Sequence, residues 1–87
     1  MKKVFKYQLK FEDYIQIEVP NDYKILSASI QHGIPCIWIL VDPNNISVTL
    51  NLRMAGTGHP ISDEIVRFID TIELDNGSLI FHIFEIK

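Results

Sequence analysis

Apolar and polar residues alternate one by one along most of the chain. Residues 3–11 place their apolar side chains on one face and lysine and glutamine on the other. Residues 46–54 alternate without a break, and Arg53 is the last of their outward positions. Because successive side chains of a strand point to opposite faces, this period of two predicts half-buried β-strands.

Turn sequences divide the pattern into about seven strands, predicted at residues 3–11, 13–19, 25–32, 35–41, 46–54, 66–74 and 79–86. Glu12-Asp13 predicts a hairpin turn between the first two strands, and Asp75-Asn76-Gly77 predicts one between the last two, because Asn-Gly readily takes positive φ. Short strands at this spacing are typical of sandwiches and barrels. We therefore predict a single all-β domain over residues 1–87, a compact antiparallel sandwich or barrel with at most one short helical turn.

Residues 61–69 are the one ambiguous stretch. Their apolar positions also fit a short helix, which Ser62-Asp63-Glu64 would cap. We favour a brief turn that leads into a strand.

Two predicted strands are apolar on both faces, residues 35–41 and 79–86. An antiparallel sheet with one wet face normally alternates, so these strands are either covered on both sides or face another subunit. The chain has 87 residues and one cysteine, Cys36, so it has little spare cover and no internal disulfide. We expect a homo-oligomer.

Composition narrows the partners. The net charge is −3 and the eight basic residues are scattered, which disfavours nucleic acid as a partner. No apolar run approaches the ~20 residues of a membrane helix, and the N-terminal Met-Lys-Lys is not followed by the apolar segment of a signal peptide. We expect a cytoplasmic protein without a membrane partner.

A glycine-rich loop is the most informative candidate site. Gly56 and Gly58 can take positive φ and expose successive N–H groups, which would form a nest for a phosphate or carboxylate. Thr57 adds a hydroxyl, His59 a ring nitrogen, and Arg53 a guanidinium for a bidentate clamp. The alternative is a tight loop in which His59 bonds a backbone carbonyl. The loop lacks the third glycine of a dinucleotide motif and the Gly-Lys-Ser/Thr of a P-loop.

Two further residues are open to both structural and functional interpretations. Trp38 either packs in the core or an interface, or offers a platform for a base or sugar ring. His82 lies among apolar residues, where it is either a hydrogen-bonded core or interface residue or part of a pocket. Cys36 is predicted to be a small buried hydrophobe. No spacing of histidine, cysteine or carboxylate predicts a catalytic, metal or cofactor site.

Three segments carry a family resemblance: residues 35–43 (PCIWILVDP), 56–60 (GTGHP) and 81–85 (FHIFE). With these segments in this order, the chain resembles a group of short proteins of phages, prophages and their bacterial hosts that share a domain of unknown function. The resemblance implies a phage-type accessory protein with no known catalytic chemistry.

By analogy with small phage proteins that sequester nucleotide immune signals, we expect non-enzymatic binding of a small anionic, nucleotide-like ligand in an anti-defence role. The expected ligand-binding residues are Trp38, Arg53, Gly56, Thr57, Gly58, His59 and His82. Two alternatives remain open. One is a protein-interaction module that inhibits a host protein through an apolar sheet face, and the other is a small hydrolase of phosphodiester or glycosidic bonds.

Overall fold

The computed structural model describes residues 1–87 and consists of seven β-strands and one 3₁₀ turn, Asp75–Gly77. The all-β class is confirmed. The strands are β1 (Lys3–Gln8), β2 (Tyr14–Pro20), β3 (Lys24–Gln31), β4 (Ile34–Val41), β5 (Ser47–Gly56), β6 (Ile65–Leu74) and β7 (Leu79–Ile86).

The strands form two antiparallel sheets. Sheet A has three strands in the order β1-β4-β3, and sheet B has four in the order β2-β5-β7-β6. Only β3–β4 and β6–β7 are hairpins of consecutive strands. The pairs β1–β4, β2–β5 and β5–β7 join strands that are distant in sequence.

The predicted hairpin at Glu12-Asp13 is wrong, because β1 and β2 belong to different sheets. Leu9 continues the pairing of sheet A, where its N–H donates to Pro35 O at 2.8 Å. Asp13 already belongs to sheet B, where its carbonyl accepts from Met54 N at 3.0 Å. The residues between them cross from one sheet to the other.

The structure also decides the predictions made for residues 75–77 and 61–69. The Asp75-Asn76-Gly77 hairpin is confirmed, and all three residues have positive φ. Residues 61–69 contain no helix, and β6 begins at Ile65, so the strand interpretation is confirmed. Ser62-Asp63-Glu64 therefore caps no helix.

A single core fills the space between the sheets. Strand β4 supplies Ile37, Ile39 and Val41, all 0% exposed, and β5 supplies alternate residues from the facing sheet. The cluster comprises Leu9, Ile15, Val19, Ile25, Ala28, Ile37, Ile39, Val41, Leu50, Leu52, Met54, Ile72 and Ile83. Burying a large aliphatic side chain contributes about 1.5–3 kcal/mol, so this layer is the main stabilising term.

The outward side of β4 is the second apolar face predicted from the sequence. Trp38 and Leu40 lie there half-buried, and Cys36 is 1% exposed. Part of the cover comes from within the chain, because Lys6 Nζ on β1 donates to Gln31 Oε1 on β3 at 2.8 Å and so spans β4. A homo-oligomer stays a prediction.

One lateral side of the sandwich is closed by a carboxylate. Asp70 Oδ2 on β6 accepts a hydrogen bond from the backbone N–H of Ala28 on β3 at 3.2 Å. Both strands carry register irregularities, at Ile25/Ser27 in β3 and at Phe68/Asp70 in β6. A bulge changes the direction of side chains and interrupts regular strand pairing. The Asp70 carboxylate therefore takes the place of a paired strand and accepts the hydrogen bond of the Ala28 N–H group at the edge of sheet A.

A polar triad around the buried carboxylate of Glu85 connects the two sheets near the start of β3. Tyr23 donates to Glu85 Oε2 at 2.6 Å, and Arg67 Nε lies 3.2 Å from Glu85 Oε1. Glu85 is 8% exposed and points inward from β7. A buried carboxylate is tolerated only where charge and hydrogen bonds compensate it, and both partners are supplied here.

We predict that Tyr23→Phe lowers the free energy of unfolding by about 1–2 kcal/mol, because a hydrogen bond to a charged group is lost. Chemical unfolding in urea at neutral pH measures this change. A loss within experimental error would mean that the hydroxyl contributes no net stability.

The pH dependence is a second readout of the same variant. Burial, and then the hydrogen bond to Glu85, raise the pKa of Tyr23 to about 12 from 10.0. Because the folded pKa lies above the unfolded one, this stabilisation is complete below pH 10 and is lost as pH rises through 12. We expect the wild type to lose more stability than the variant across that window, and parallel curves would contradict this assignment.

Candidate ligand cleft

The glycine-rich loop leaves β5 through a tight turn. The N–H of His59 donates to Gly56 O at 3.0 Å, which closes a four-residue turn with Thr57 and Gly58 at its centre. Gly58 has φ +87°, and Thr57 is not among the positive-φ residues. A positive φ at the third position alone defines a type II turn, which requires glycine or asparagine there.

Gly56 serves a different purpose. Its φ is not positive, and a Cβ at this position would lie 2.9 Å from Cε1 of His59. The residue is therefore small because the His59 ring packs against its backbone. Of the two glycines that could take positive φ, only Gly58 does so.

This geometry also alters the expected anion nest. In a type II turn the two central N–H groups do not converge on one point as they do in a nest. The N–H groups of Thr57 and Gly58 nevertheless donate to no backbone carbonyl. They are separate donors at the loop surface.

His82 is fixed beside the loop by two hydroxyls. Its Nε2 lies 2.8 Å from Thr57 Oγ1, and its Nδ1 lies 3.0 Å from Thr71 Oγ1. Strand pairing explains this geometry, because His82 on β7 is opposite Ala55 on β5 and Thr71 on β6. Both ring nitrogens are occupied, so the imidazole is oriented and holds the loop against the sheet.

A cleft of about 370 Å³ opens between the loop and the β6–β7 hairpin. Apolar groups of β7 form one part of its wall, and the polar groups of the loop and the hairpin form the rest. The lining residues are Gly56, Thr57, His59, Ser78, Leu79, Ile80 and Phe81. This size lies at the lower end of small-ligand sites.

Arg53 does not reach the cleft. It is 6% exposed, and its guanidinium is bonded to the chain itself. Nη1 donates to the carbonyls of Met54 at 2.7 Å and Asp13 at 3.3 Å, and Nη2 donates to the carbonyl of Pro60 at 3.2 Å. The predicted role as an anion clamp is wrong for this conformation, because its fork of donors is used to hold the loop.

Aspartates and a tyrosine complete the surroundings of Arg53. The guanidinium lies 3.5 Å from Asp13 Oδ1 and 3.7 Å from Asp63 Oδ2, and 5.1 Å from the centre of the Tyr14 ring. Its Nε–H is buried without a hydrogen bond, because the Asp63 distance is too long for one. Tyr14 donates to Asp63 at 3.1 Å, and this hydrogen bond is the first cause of its raised pKa.

Trp38 also lies outside the cleft. It follows and precedes core residues on β4, so it points out of sheet A, away from sheet B. The structure thus brings together Gly56, Thr57, Gly58, His59 and His82, and it separates Trp38 and Arg53 from them. The stacking platform predicted at Trp38 cannot act with the loop on one small ligand.

Sequence reasoning missed Thr71, Ser78 and Phe81. The Asn76-Gly77 turn signal shows that β6 and β7 form a hairpin, but only the β5–β7 pairing brings that hairpin beside the loop. That pairing joins non-consecutive strands and has no local sequence signal.

Other chemistry is sparse. No group of three or more histidine, cysteine, aspartate or glutamate side chains is placed to hold a metal ion. Cys36 is buried, with Sγ 3.5 Å from Ile34 O. The structure contains no helix with the length and apolar character needed to cross a membrane.

A family model described as a domain of unknown function, DUF7352, matches residues 1–87. The chain belongs to this family. No curated protein and no solved structure matches it. For this DUF7352 member the family match extends over both sheets and the cleft.

We predict that Arg53→Lys destabilises this DUF7352 domain by about 2–3 kcal/mol. Lysine keeps the charge but cannot donate to three carbonyls in fixed directions, so buried acceptors lose their partners. Thermal unfolding measures the loss, and hydrogen exchange at residues 57–64 should accelerate. Arg67→Lys is the control: Arg67 is half-exposed and pairs with one carboxylate, so its loss should be smaller. Equal losses would contradict the loop-holding role.

Proposed function

We propose that this protein binds a small nucleotide-type ligand in the loop cleft and holds it without chemical conversion. The observation that carries the proposal is the cleft itself, a concave site of ligand size. Its loop wall is held by the hydrogen bond from Arg53 to Pro60 O and by the contact of His82 with Thr57. Preorganised walls reduce the entropy cost of binding, so a small site can still bind a ligand specifically.

The lining supports a flat heterocycle with polar substituents. Leu79, Ile80 and Phe81 offer apolar and aromatic surface, and Thr57 and Ser78 offer hydroxyls. The free N–H groups of the loop can donate to ring or sugar oxygens. With Arg53 bonded to the loop backbone, His59 is the only basic side chain among the lining residues, and His82 contacts the lining residue Thr57. The base and sugar, rather than the phosphate, should therefore contribute most of the affinity.

The proposed setting rests on the resemblance to phage and prophage proteins. In that setting the protein acts in the cytoplasm of the host cell as a sponge that withdraws a nucleotide immune signal. Sequestration needs stoichiometric binding and no general base, which agrees with a lining that contains no carboxylate.

Isothermal titration calorimetry with a panel of nucleotides and cyclic nucleotides tests the proposal. We expect one site per chain for at least one ligand, and chromatography of the released ligand should recover it unchanged. Weak dependence of the affinity on salt would support a minor role for the phosphate. If no nucleotide of the panel gives binding heat or shifts the melting temperature of the protein at saturating concentration, the proposal is overturned. If a nucleotide is instead recovered as a hydrolysis product, the protein is a hydrolase.

Variants of single hydroxyls locate the site. Thr57→Val and Ser78→Ala should each weaken binding by about three- to tenfold, the effect of one hydrogen bond. Thr49→Val is the matched control, because Thr49 is an exposed threonine near the start of β5, far from the cleft. If Thr49→Val weakens binding as much as Thr57→Val, the ligand does not occupy the cleft.

A second candidate function rests on the outer face of sheet A. Trp38 lies half-buried at its centre, with Lys6 on β1 and Ser27 on β3 as its cross-strand neighbours. Val4 and Leu26 are exposed apolar residues on these two flanking strands. As an interaction module, the protein would inhibit a host protein through this face. Trp38→Ala would then abolish the inhibition while Thr57→Val leaves it intact, and the reverse pattern would favour the cleft.

A further inference from the structure

The two sides of the sandwich differ. At the β3–β6 side, Asp70 accepts the hydrogen bond from Ala28 described above. At the opposite side, β1 ends sheet A and β2 ends sheet B, and no pairing joins them. Both strand edges are therefore open, and they lie on the side of the sandwich opposite the close approach of β3 and β6.

Along a β-strand, the backbone N–H groups of alternate residues point to opposite sides, so the hydrogen bonds to β4 and β5 show which N–H groups of β1 and β2 are free. The bond from Leu9 N to Pro35 O continues the β1–β4 register, so the N–H groups of Val4, Lys6 and Gln8 point away from β4. On β2 the bonds of Asp13 O and Asn21 N to β5 set the same alternation. The N–H groups of Gln16 and Glu18 therefore point away from β5.

Apolar side chains at this side are incompletely covered. Phe5, Tyr7 and Ile17 pack against the core but are only half-buried, whereas inward residues of the central strand β4 are 0% exposed. A groove of about 250 Å³ runs between the end of β1 and the start of β2. Its lining residues are Gln8, Leu9, Lys10, Glu12, Ile15, Gln16 and Ile17.

Charge is divided between the two edges. Strand β1 carries Lys3 and Lys6 and no acid, and β2 carries Glu18 and no base. Two copies of β1 side by side would set Lys6 against Lys6, whereas β1 beside β2 places Lys6 and Glu18 on the same outer face, where each bonds only a neutral side chain within its own copy, Gln31 or Thr49. These charges disfavour pairing of β1 with β1 of a second copy and favour pairing of β1 with β2.

Chain direction is also suitable. Strand β1 ends and β2 begins at one end of the sandwich, where the Phe11 ring lies 5.8 Å from Phe81 and Asp13 bonds Met54. The two strands therefore run in opposite directions. A two-fold axis along the open side, parallel to the strands, would set β1 of each copy antiparallel to β2 of the other.

We propose that this side of the molecule is the interface of a two-fold symmetric dimer, in which β1 pairs with β2 of a second copy twice over. The pairing converts each three-stranded sheet and the partner's four-stranded sheet into one continuous sheet. It satisfies the free edge donors, covers Phe5, Tyr7 and Ile17, and leaves no open edge there. Such an isologous contact closes at two copies. The proposal does not depend on the ligand cleft.

A charge exchange tests the pairing directly. Glu18→Lys sets lysines against lysines, and the double variant Lys3→Glu, Lys6→Glu sets acids against acids. In analytical ultracentrifugation at low salt, we expect wild type to dimerise and each variant alone to raise the dimer dissociation constant at least about tenfold. Mixing the two variants restores opposite charges at both contacts and should restore the dimer, which also shows that both variants are folded.

Glu73→Lys is the control, because Glu73 is an exposed acid on β6, away from β1 and β2. It should dimerise as wild type does. Amide exchange at Val4, Lys6, Gln16 and Glu18 should slow as the protein concentration rises. A wild type that stays monomeric throughout the dilution series would overturn the proposal. Dimers that survive both charge variants would overturn it as well, since they would use another surface.

Discussion

Two sheets built from an 87-residue chain must cover each other with a single layer of side chains. The core cluster draws on all seven strands or their flanks, and most of its fully buried members come from the central strands β4, β5 and β7, although Val19 on the edge strand β2 is also 0% exposed. Phe5, Tyr7 and Ile17 on the edge strands β1 and β2 are only half-buried, because an edge strand has a neighbour on one side only. The free edge groups at each lateral side of the sandwich therefore need partners. At the β3–β6 side Asp70 accepts the hydrogen bond of one edge N–H group, and at the β1–β2 side no strand of the same chain pairs with the edges.

The charged side chains that enter the protein interior also each have partners that compensate their burial. Glu85 is compensated by Tyr23, which directly precedes β3 of sheet A, and by Arg67 on β6 of sheet B. Arg53 is compensated mostly by carbonyls of its own surroundings, and through Pro60 it fixes a loop that has no regular secondary structure. Removing either group would leave buried partners unsatisfied, which costs more than the hydrogen bond itself contributes. The buried guanidinium bonds Pro60, which adjoins the cleft residue His59, although Arg53 itself does not line the cleft.

Local pattern was sufficient to predict the strands but not their neighbours. Alternation located β5 and correctly placed Arg53 on the outward face, because the period of a strand depends only on its own residues. Burial of Arg53 depends on the loop that folds back over that face, and strand alternation contains no information on that. The error at Glu12-Asp13 has a similar cause: a polar turn between two alternating segments looks the same whether the chain returns in one sheet or crosses to the other.

The candidate site was predictable in the same partial way. Glycines marked the loop, and His82 was flagged by its polarity among apolar neighbours, but the contact between Thr57 and His82 requires the β5–β7 pairing. Trp38 was expected to join them because aromatic rings suit heterocycles. Its position between Ile37 and Ile39, both fully buried, forces its side chain to the far face of sheet A. The two-residue period of the strand decided the position of Trp38 against the chemical argument.

The cleft and the open edges occupy different parts of the molecule. The cleft lies between the end of β5 and the β6–β7 hairpin, whereas the proposed dimer contact uses β1 and β2. Strand β5 lies between them, since it pairs with β2 along one edge and with β7 along the other. Arg53 on that strand bonds both Asp13, next to β2, and Pro60, in the loop. Dimerisation that orders the start of β2 would therefore also order the wall of the cleft, and the two properties would be coupled through one side chain.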